Sequence, residues 1–360
     1  MRIKMKALDT IFFRDGKPFS MGEENWSDGI FPPYPSVFYG ALRGGYFSEN
    51  IELFRSLRPK DFNTSLDPSA KLKITEISLM MDDRIVFPFP ADCLLEKGSD
   101  DLEAHKISRF QAKGLSSSPC DYILKTDNKN YEEVKEGYIT QIEFESYLNN
   151  KGNRFCVNYL YNESVMRIFN EPKIGIARNP VTRIAEDSML YRVDMKRLDK
   201  LDMVIDFSGL ELERSGLLKL GGEGKAVSYK VIEANQIIKL PEIEKEFIMY
   251  LATPAIFNNG WLPGFIDPES LTGEIVMGLK VKLRSAIVNR PLLIGGFDIQ
   301  LKKPKTMMQA VPSGSLYYFE ILEGAANLLE SIQGKSVSDF KTEEGFGIAY
   351  FGKSNMEIDI

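Results

Sequence analysis

The sequence predicts an α+β chain assembled from two similar halves, and three observations carry that expectation. Apolar residues alternate with period two over residues 2–8, 203–207, 247–251, 278–288 and 315–321, the pattern of half-buried strands. Each half ends on the same order of parts, a helix-like run, a glycine-rich loop and a last strand. The length of 360 residues suits two domains at roughly 100 to 200 residues each.

Residues 2–8 form the first strand, and the turn Arg14-Asp15-Gly16-Lys17-Pro18 follows with two exposed cations. Residues 35–43 read as a helix opened by Pro35 or Ser36, with Val37, Phe38, Ala41 and Leu42 inward and Arg43 on the other side. Gly40 in its middle suggests close packing, because glycine there costs about 1 kcal/mol relative to alanine. Asp82-Asp83 joins two apolar runs as a hairpin turn. Residues 99–151 are polar and read as loops and a helix inserted into a domain rather than as core. Arg178 and Arg183, with Thr182 and Ser188, border a long loop; strands at 189–193 and 203–207 meet around Lys200, and 210–218 reads as a helix. The resulting order is βα, an insertion, then ββαβ. It corresponds to a ferredoxin-like (RRM-like, split βαβ) domain over residues 1–240, with a large insertion at about 50–188. Pro241 and the acidic run Glu242-Ile243-Glu244-Lys245-Glu246 mark the boundary, and residues 241–360 permit a second ferredoxin-like domain.

The loop Leu220-Gly221-Gly222-Glu223-Gly224-Lys225 is the leading candidate site. Gly221, Gly222 and Gly224 leave the backbone free to reach positive φ and to bring its N–H groups near an anion, with Lys225 beside them as a phosphate partner. A plain glycine turn entering a strand is the alternative. Glu344-Gly345-Phe346-Gly347 occupies the equivalent place in the second half. Net charge is −6, yet Lys280, Lys282, Arg284, Arg290, Lys302, Lys303 and Lys305 lie within one stretch against Asp298 alone. Phosphate responds to such a local field rather than to the mean. Lys280, Lys282 and Arg284 fall on one strand face, which would equally suit a solvated sheet surface.

Other function classes lose ground on composition. No run approaches the roughly 18 apolar residues of a membrane span, so a soluble, cytoplasmic protein is expected. Cys93, Cys120 and Cys156 are widely spaced, which favours reduced thiols over disulfides or a zinc site. The glycine loop is too compact for a nucleotide-binding P-loop. His105 is the sole histidine and stands in the polar insertion, so acid–base catalysis has no evident centre and neither cofactor nor metal is implied.

Taken in order, the motifs resemble the RAMP superfamily of CRISPR effector subunits, and within it the family of the third subunit of type III-B Cmr complexes. The resemblance rests on Leu8-Asp9-Thr10 through Phe19, residues 35–43, Gly175-Ile176-Ala177 with Thr182-Arg183, and the loop 220–225. In the second half it rests on Thr253-Pro254-Ala255-Ile256-Phe257, Gly260-Trp261-Leu262-Pro263-Gly264, Pro304-Lys305, residues 314–320 and Gly345-Phe346-Gly347. It implies a non-catalytic subunit that holds the 5′ tag of the guide crRNA. Its partners would be the large polymerase-like subunit and the repeating backbone subunit, with target RNA met only through the complex, in antiviral defence. An endoribonuclease processing repeat RNA is the alternative within the superfamily. Lys225 stands where an arginine is familiar; lysine binds phosphate as a point charge without the planar bidentate contact. Residues 99–152 carry no motif of the family.

Overall fold

The computed structural model describes residues 1–14, 26–27, 29–62, 64–98, 102–111, 119–126, 130–161, 166–178, 181–233, 237–298 and 303–354. Strands dominate and helices are few. The chain divides into two compact units: Met1–Ile74 with Met166–Glu233 and Leu293–Met308, and Thr75–Val165 with Ala234–Leu292 and Gln309–Ile360. This division differs from a boundary at residue 240, since Thr75–Val165 clusters with the C-terminal segments.

In the first unit the strand Arg2–Ala7 lies between Leu201–Ser208 and Ala226–Val231, antiparallel to both, and Ser215–Lys219 pairs with the outer side of Ala226–Val231. Ile3, Met5, Met203, Ile205 and Val227 are buried, so the alternation read from the sequence does define the inward positions. The helix Pro35–Glu49 starts at its proline and buries Phe38, Ala41, Leu42 and Phe47, while Val37 is only half-buried. Gly45, not Gly40, is its packing glycine. A Cβ at Gly45 would lie 2.3 Å from Leu218 Cδ2, whereas nothing lies within 4 Å of one at Gly40.

Residues 210–218 do not form the expected helix. Ser215–Lys219 is a strand, with Leu218 buried and Leu217 64% exposed, the period of a strand and not of a helix. Among the described residues the second helix of a split βαβ unit is therefore missing here, and a hairpin closes the sheet. The long loop expected between Arg178 and Ser188 is also mostly strand: Ile168–Arg178 and Ala185–Leu198 pair along their length, leaving a short turn.

The second unit contains a six-stranded sheet in the order Thr272–Val276, Leu279–Ile287, Leu316–Glu323, Glu246–Leu251, Ile348–Lys353, Lys335–Ser336. Its core includes Phe247, Met249, Leu251, Val281, Leu283, Tyr317, Phe319 and Phe351. The helix-like run before the second glycine loop is a short 3-10 segment, Ala326–Ser331. The Asp82-Asp83 hairpin is present between Lys73–Met81 and Arg84–Pro88, and its two residues take φ of 46° and 60°, as a tight two-residue hairpin turn requires.

The polar insertion is more ordered than its composition suggested. It holds the strands Glu103–Lys106, Ser108–Gln111, Tyr122–Lys125, Tyr131–Glu133 and Gly137–Thr140, and the helix Gln141–Leu148. Thr140 caps this helix, accepting from the Glu143 amide at 3.4 Å. Phe144, Tyr147 and Leu148 are fully buried, with the Phe144 ring 4.7 Å from Phe87 and from Tyr250. These few large side chains explain why a polar segment belongs to the core of the second unit. Among the described residues, no helix is long and apolar enough to cross a membrane.

Candidate nucleic-acid interface

The loop 220–225 joins the strands Ser215–Lys219 and Ala226–Val231 and is braced from two sides. Leu220 is fully buried and its amide donates to the Lys225 carbonyl at 3.0 Å, while the Lys225 amide donates to the Gly222 carbonyl at 3.3 Å. The Gly222 amide donates to the Phe12 carbonyl at 2.9 Å. Gly221 has φ +79° and passes so close to the chain that a Cβ would stand 2.4 Å from the Phe12 carbonyl oxygen. Glu223 and Gly224 also have positive φ, 56° and 68°, but open space surrounds Gly224. Neither the Glu223 nor the Gly224 amide has an acceptor among the described residues. The loop therefore presents two available donors on its open side, while Gly221 serves the packing on its closed side.

Phe12 belongs to a segment wedged between this loop and the long hairpin. Ile11 exchanges two backbone hydrogen bonds with Lys196 at 2.8 Å each, and Phe12 packs on Val193 and Met195. Asp9, just before it, is the hub of the local charges. Its carboxylate accepts from Lys225 at 2.9 Å and lies 3.5 Å from the Arg197 guanidinium. Arg197 also grips Glu171, and Lys173 pairs with Glu223 at 2.7 Å. The hydrogen bond from Lys225, followed by that from the Thr10 amide, holds the Asp9 carboxyl below the usual carboxylate range; Arg197 does the same for Glu171. Lys173, Arg197 and Lys225 thus face Asp9, Glu171 and Glu223, while Lys196 donates to Asn170 at 2.6 Å. Only Lys225 of this group was singled out by spacing, because the others come from strands brought beside the loop by the fold. Asp9 lies within the motif Leu8-Asp9-Thr10.

The remaining candidates are dispersed. Arg43 is held by Asp67 at 2.7 Å and Ser69 at 2.8 Å, an interaction that ties the helix to the turn Pro68–Lys71 and accounts for it without a ligand. Arg14 is exposed and bridges Gly29, and Lys17 lies outside the described residues. Arg178 ends its strand opposite Ala185, and Arg183 is exposed in the turn with φ +58°. Around that turn Ile174, Ile176, Val181 and Ile184 are exposed, an apolar surface that charge counting overlooked. Arg290 and Lys305 are exposed.

Lys280, Lys282 and Arg284 do share one face of Leu279–Ile287, but each meets a carboxylate. Lys280 pairs with Glu323 at 2.6 Å, Lys282 with Asp121 at 3.0 Å, and Arg284 with both Asp121 and Glu320. Against partial burial, the bonds from Lys282 and Arg284 hold Asp121 below the usual range. At these three residues the excess of cations along the sequence is therefore offset in space. The second glycine loop is also unlike the first. Gly345, Phe346 and Gly347 are buried, the Gly345 carbonyl accepts from Thr253, and a Cβ at Gly347 would meet Ser338 at 2.6 Å, so this loop packs the interior. His105 lies in the second unit with its ring 5.8 Å from Tyr131.

The sequence profile of the family described as CRISPR-associated protein (Cas_Cmr3) matches residues 3–354. The chain belongs to this family. No curated protein matches it. Among solved structures, a chain of the type III-B Cmr-beta complex bound to cognate target RNA and AMPPnP is 17% identical, with a TM-score of 0.50, covering 88% of this chain and 86% of that one. A second structure of Cmr-beta with target RNA gives 19% identity, the same coverage and a TM-score of 0.48. The Csm3-Csm4 subcomplex of a type III-A interference complex gives 11% identity and 0.38, over 98% and 99% of the two chains. The first of these extends the Cas_Cmr3 assignment to the fold: this chain shares the mixed α and β, strand-rich architecture of a Cmr subunit.

Proposed function

We propose that this Cas_Cmr3 family member is a non-catalytic RNA-holding subunit of a type III-B CRISPR effector complex, acting in antiviral defence. The loop 220–225 and the cations beside it would hold the phosphate backbone of the crRNA 5′ tag. The observation that carries this reading is the loop's open side, where the Glu223 and Gly224 amides have no acceptor among the described residues and Lys225 and Lys173 stand within reach of the same surface. Anion binding by consecutive backbone amides and a neighbouring cation is a general property of such turns. The surrounding carboxylates do not defeat it, because exposed ion pairs are worth about 0 to 1 kcal/mol and exchange readily for phosphate.

In this reading the subunit docks the large polymerase-like subunit and neighbours the repeating backbone subunit, meeting target RNA only through the assembled complex in the cytoplasm. The similar chain in Cmr-beta belongs to a complex bound to target RNA, which supports the placement. The exposed apolar residues near the hairpin turn suit burial against such an assembly. Each unit is then a diverged ferredoxin-like domain, the hairpin 215–231 taking the place of a second helix in the first. Incubating purified protein with repeat RNA tests the non-catalytic role: intact RNA is expected. Metal-independent cleavage that disappears in His105→Ala would instead establish a processing endoribonuclease.

A further inference from the structure

A small cleft in the second unit, lined by none of the residues invoked above for RNA, has the lining of an anion site. It encloses about 60 Å³ and is walled by Lys106, Arg109, Asn150, Asn153, Tyr318 and Ser354, among others, with no carboxylate in the lining. This is far below the roughly 300 Å³ at which pockets for drug-sized ligands begin, so its size selects a small ion. The chemistry of the walls is one-sided. Arg109 is 5% exposed and spends one of its donors on Glu246 Oε2 at 3.2 Å; its guanidinium is fixed over the Tyr318 ring at 4.8 Å. A guanidinium has five N–H donors, so several remain to serve the cleft. Lys106 donates to Asn150 Oδ1 at 3.0 Å, which turns the Asn150 amide donors away from that bond and leaves the ammonium with further protons. Ser354 Oγ is buried and has no hydrogen-bond partner.

The neighbouring tyrosines do not compete for this role. Tyr147 and Tyr318 both direct their hydroxyl protons onto the buried carboxylate of Asp92, at 2.8 and 2.7 Å, and thereby hold the Tyr318 wall in place. An unpartnered buried hydroxyl costs about 1 to 3 kcal/mol, and two cations lining the same cleft favour an acceptor-only ligand there.

We propose that this cleft binds one tetrahedral oxyanion of the phosphate class, bound by Arg109, Lys106 and the Ser354 hydroxyl. The anion would be supplied either as the free ion or as the terminal phosphate of a nucleotide. The test uses the full chain and follows its thermal transition in inorganic phosphate, and separately in adenosine 5′-monophosphate, against chloride at equal ionic strength and pH. A phosphate-dependent rise is expected, with apparent affinity at least tenfold weaker in Lys106→Met and in Ser354→Ala. Both variants keep the Arg109 pair with Glu246 intact, and their transitions in chloride report whether they fold. A rise with inorganic phosphate alone assigns the free ion, and a rise with both assigns a phosphate monoester. No rise beyond chloride, or an equal rise in the wild-type chain and both folded variants, would overturn the site.

Discussion

Gly221 and Gly224 sit three positions apart in one loop, and the structure assigns them separable roles. Gly221→Ala imposes two costs. A left-handed conformation costs an L residue about 1 to 2 kcal/mol. The new methyl also meets the Phe12 carbonyl oxygen at 2.4 Å and the Phe13 ring at 2.8 Å, contacts that only backbone movement relieves. Such overpacking adds about 1 to 3 kcal/mol. Gly224→Ala meets the first cost alone, since nothing lies within 4 Å of its Cβ. Converted at about 2 to 4 °C per kcal/mol, the Gly221 variant should melt on the order of 5 °C below the Gly224 variant. RNA binding should order them the other way relative to stability. A methyl on the open side obstructs an amide-to-phosphate bond, and losing one such charge-assisted bond at about 1.5 kcal/mol weakens binding about tenfold. Calorimetry or far-ultraviolet melting, with titration of 5′-tag RNA against the assembled complex, reads both quantities. Equal melting temperatures would refute the packing role of Gly221. Unchanged RNA affinity in Gly224→Ala would remove the open side of the loop from the interface.

Lys225→Ala should lower the slope of log affinity against log salt by about one if it neutralises a single phosphate. Asp9→Asn should raise affinity about threefold at low salt by releasing Lys225 and Arg197, given the small worth of exposed pairs; both are read by titration at several salt concentrations. Phe144→Ala, which empties a ring site fully buried against Phe87 and Tyr250, should cost about 3 to 5 kcal/mol by chemical denaturation while leaving the glycine loop unaltered. Burial raises the Glu246 carboxyl above the usual carboxylate range, so the folded chain takes up its proton more readily than the unfolded chain. This group therefore adds stability as pH falls from its raised folded value towards the unfolded value of about 4.3. Asp121 and Glu320, both shifted down, lose their contribution as pH falls through the lower carboxylate range. In Glu246→Gln the gain on acidification is missing, so wild type should gain melting temperature relative to the variant as pH falls through the carboxylate range towards about 4.3; parallel melting temperatures across that range would contradict this.

What the sequence made legible was local. Period-two alternation located Arg2–Ala7, Glu246–Leu251, Leu279–Ile287 and Leu316–Glu323, and Asp82-Asp83 announced its hairpin. Residues 210–218 misled because Leu210, Leu212, Leu217 and Leu218 satisfy helical spacing as well as they satisfy a loop and a strand; burial of Leu218 against Gly45 settles the choice. Charge was the least legible property. Arg284 finds Asp121 from 163 residues earlier, and Lys225 finds Asp9 from 216 residues earlier. No local window contains either pair. The two glycine loops share a composition, yet one faces solvent and the other is buried, since their neighbours come from distant strands. Family membership was legible because it rests on the order of many weak motifs, which survives where individual contacts cannot be read.

The central claim, that loop 220–225 holds the guide RNA, is tested most directly by zero-length ultraviolet crosslinking of the assembled complex to crRNA, followed by peptide mapping. The account predicts crosslinks from the 5′ tag to the peptide containing Gly221 through Lys225, weakened in Gly224→Ala and in Lys225→Ala. A complex that retains its crRNA while the tag crosslinks elsewhere, with the loop peptide unmodified, would contradict it.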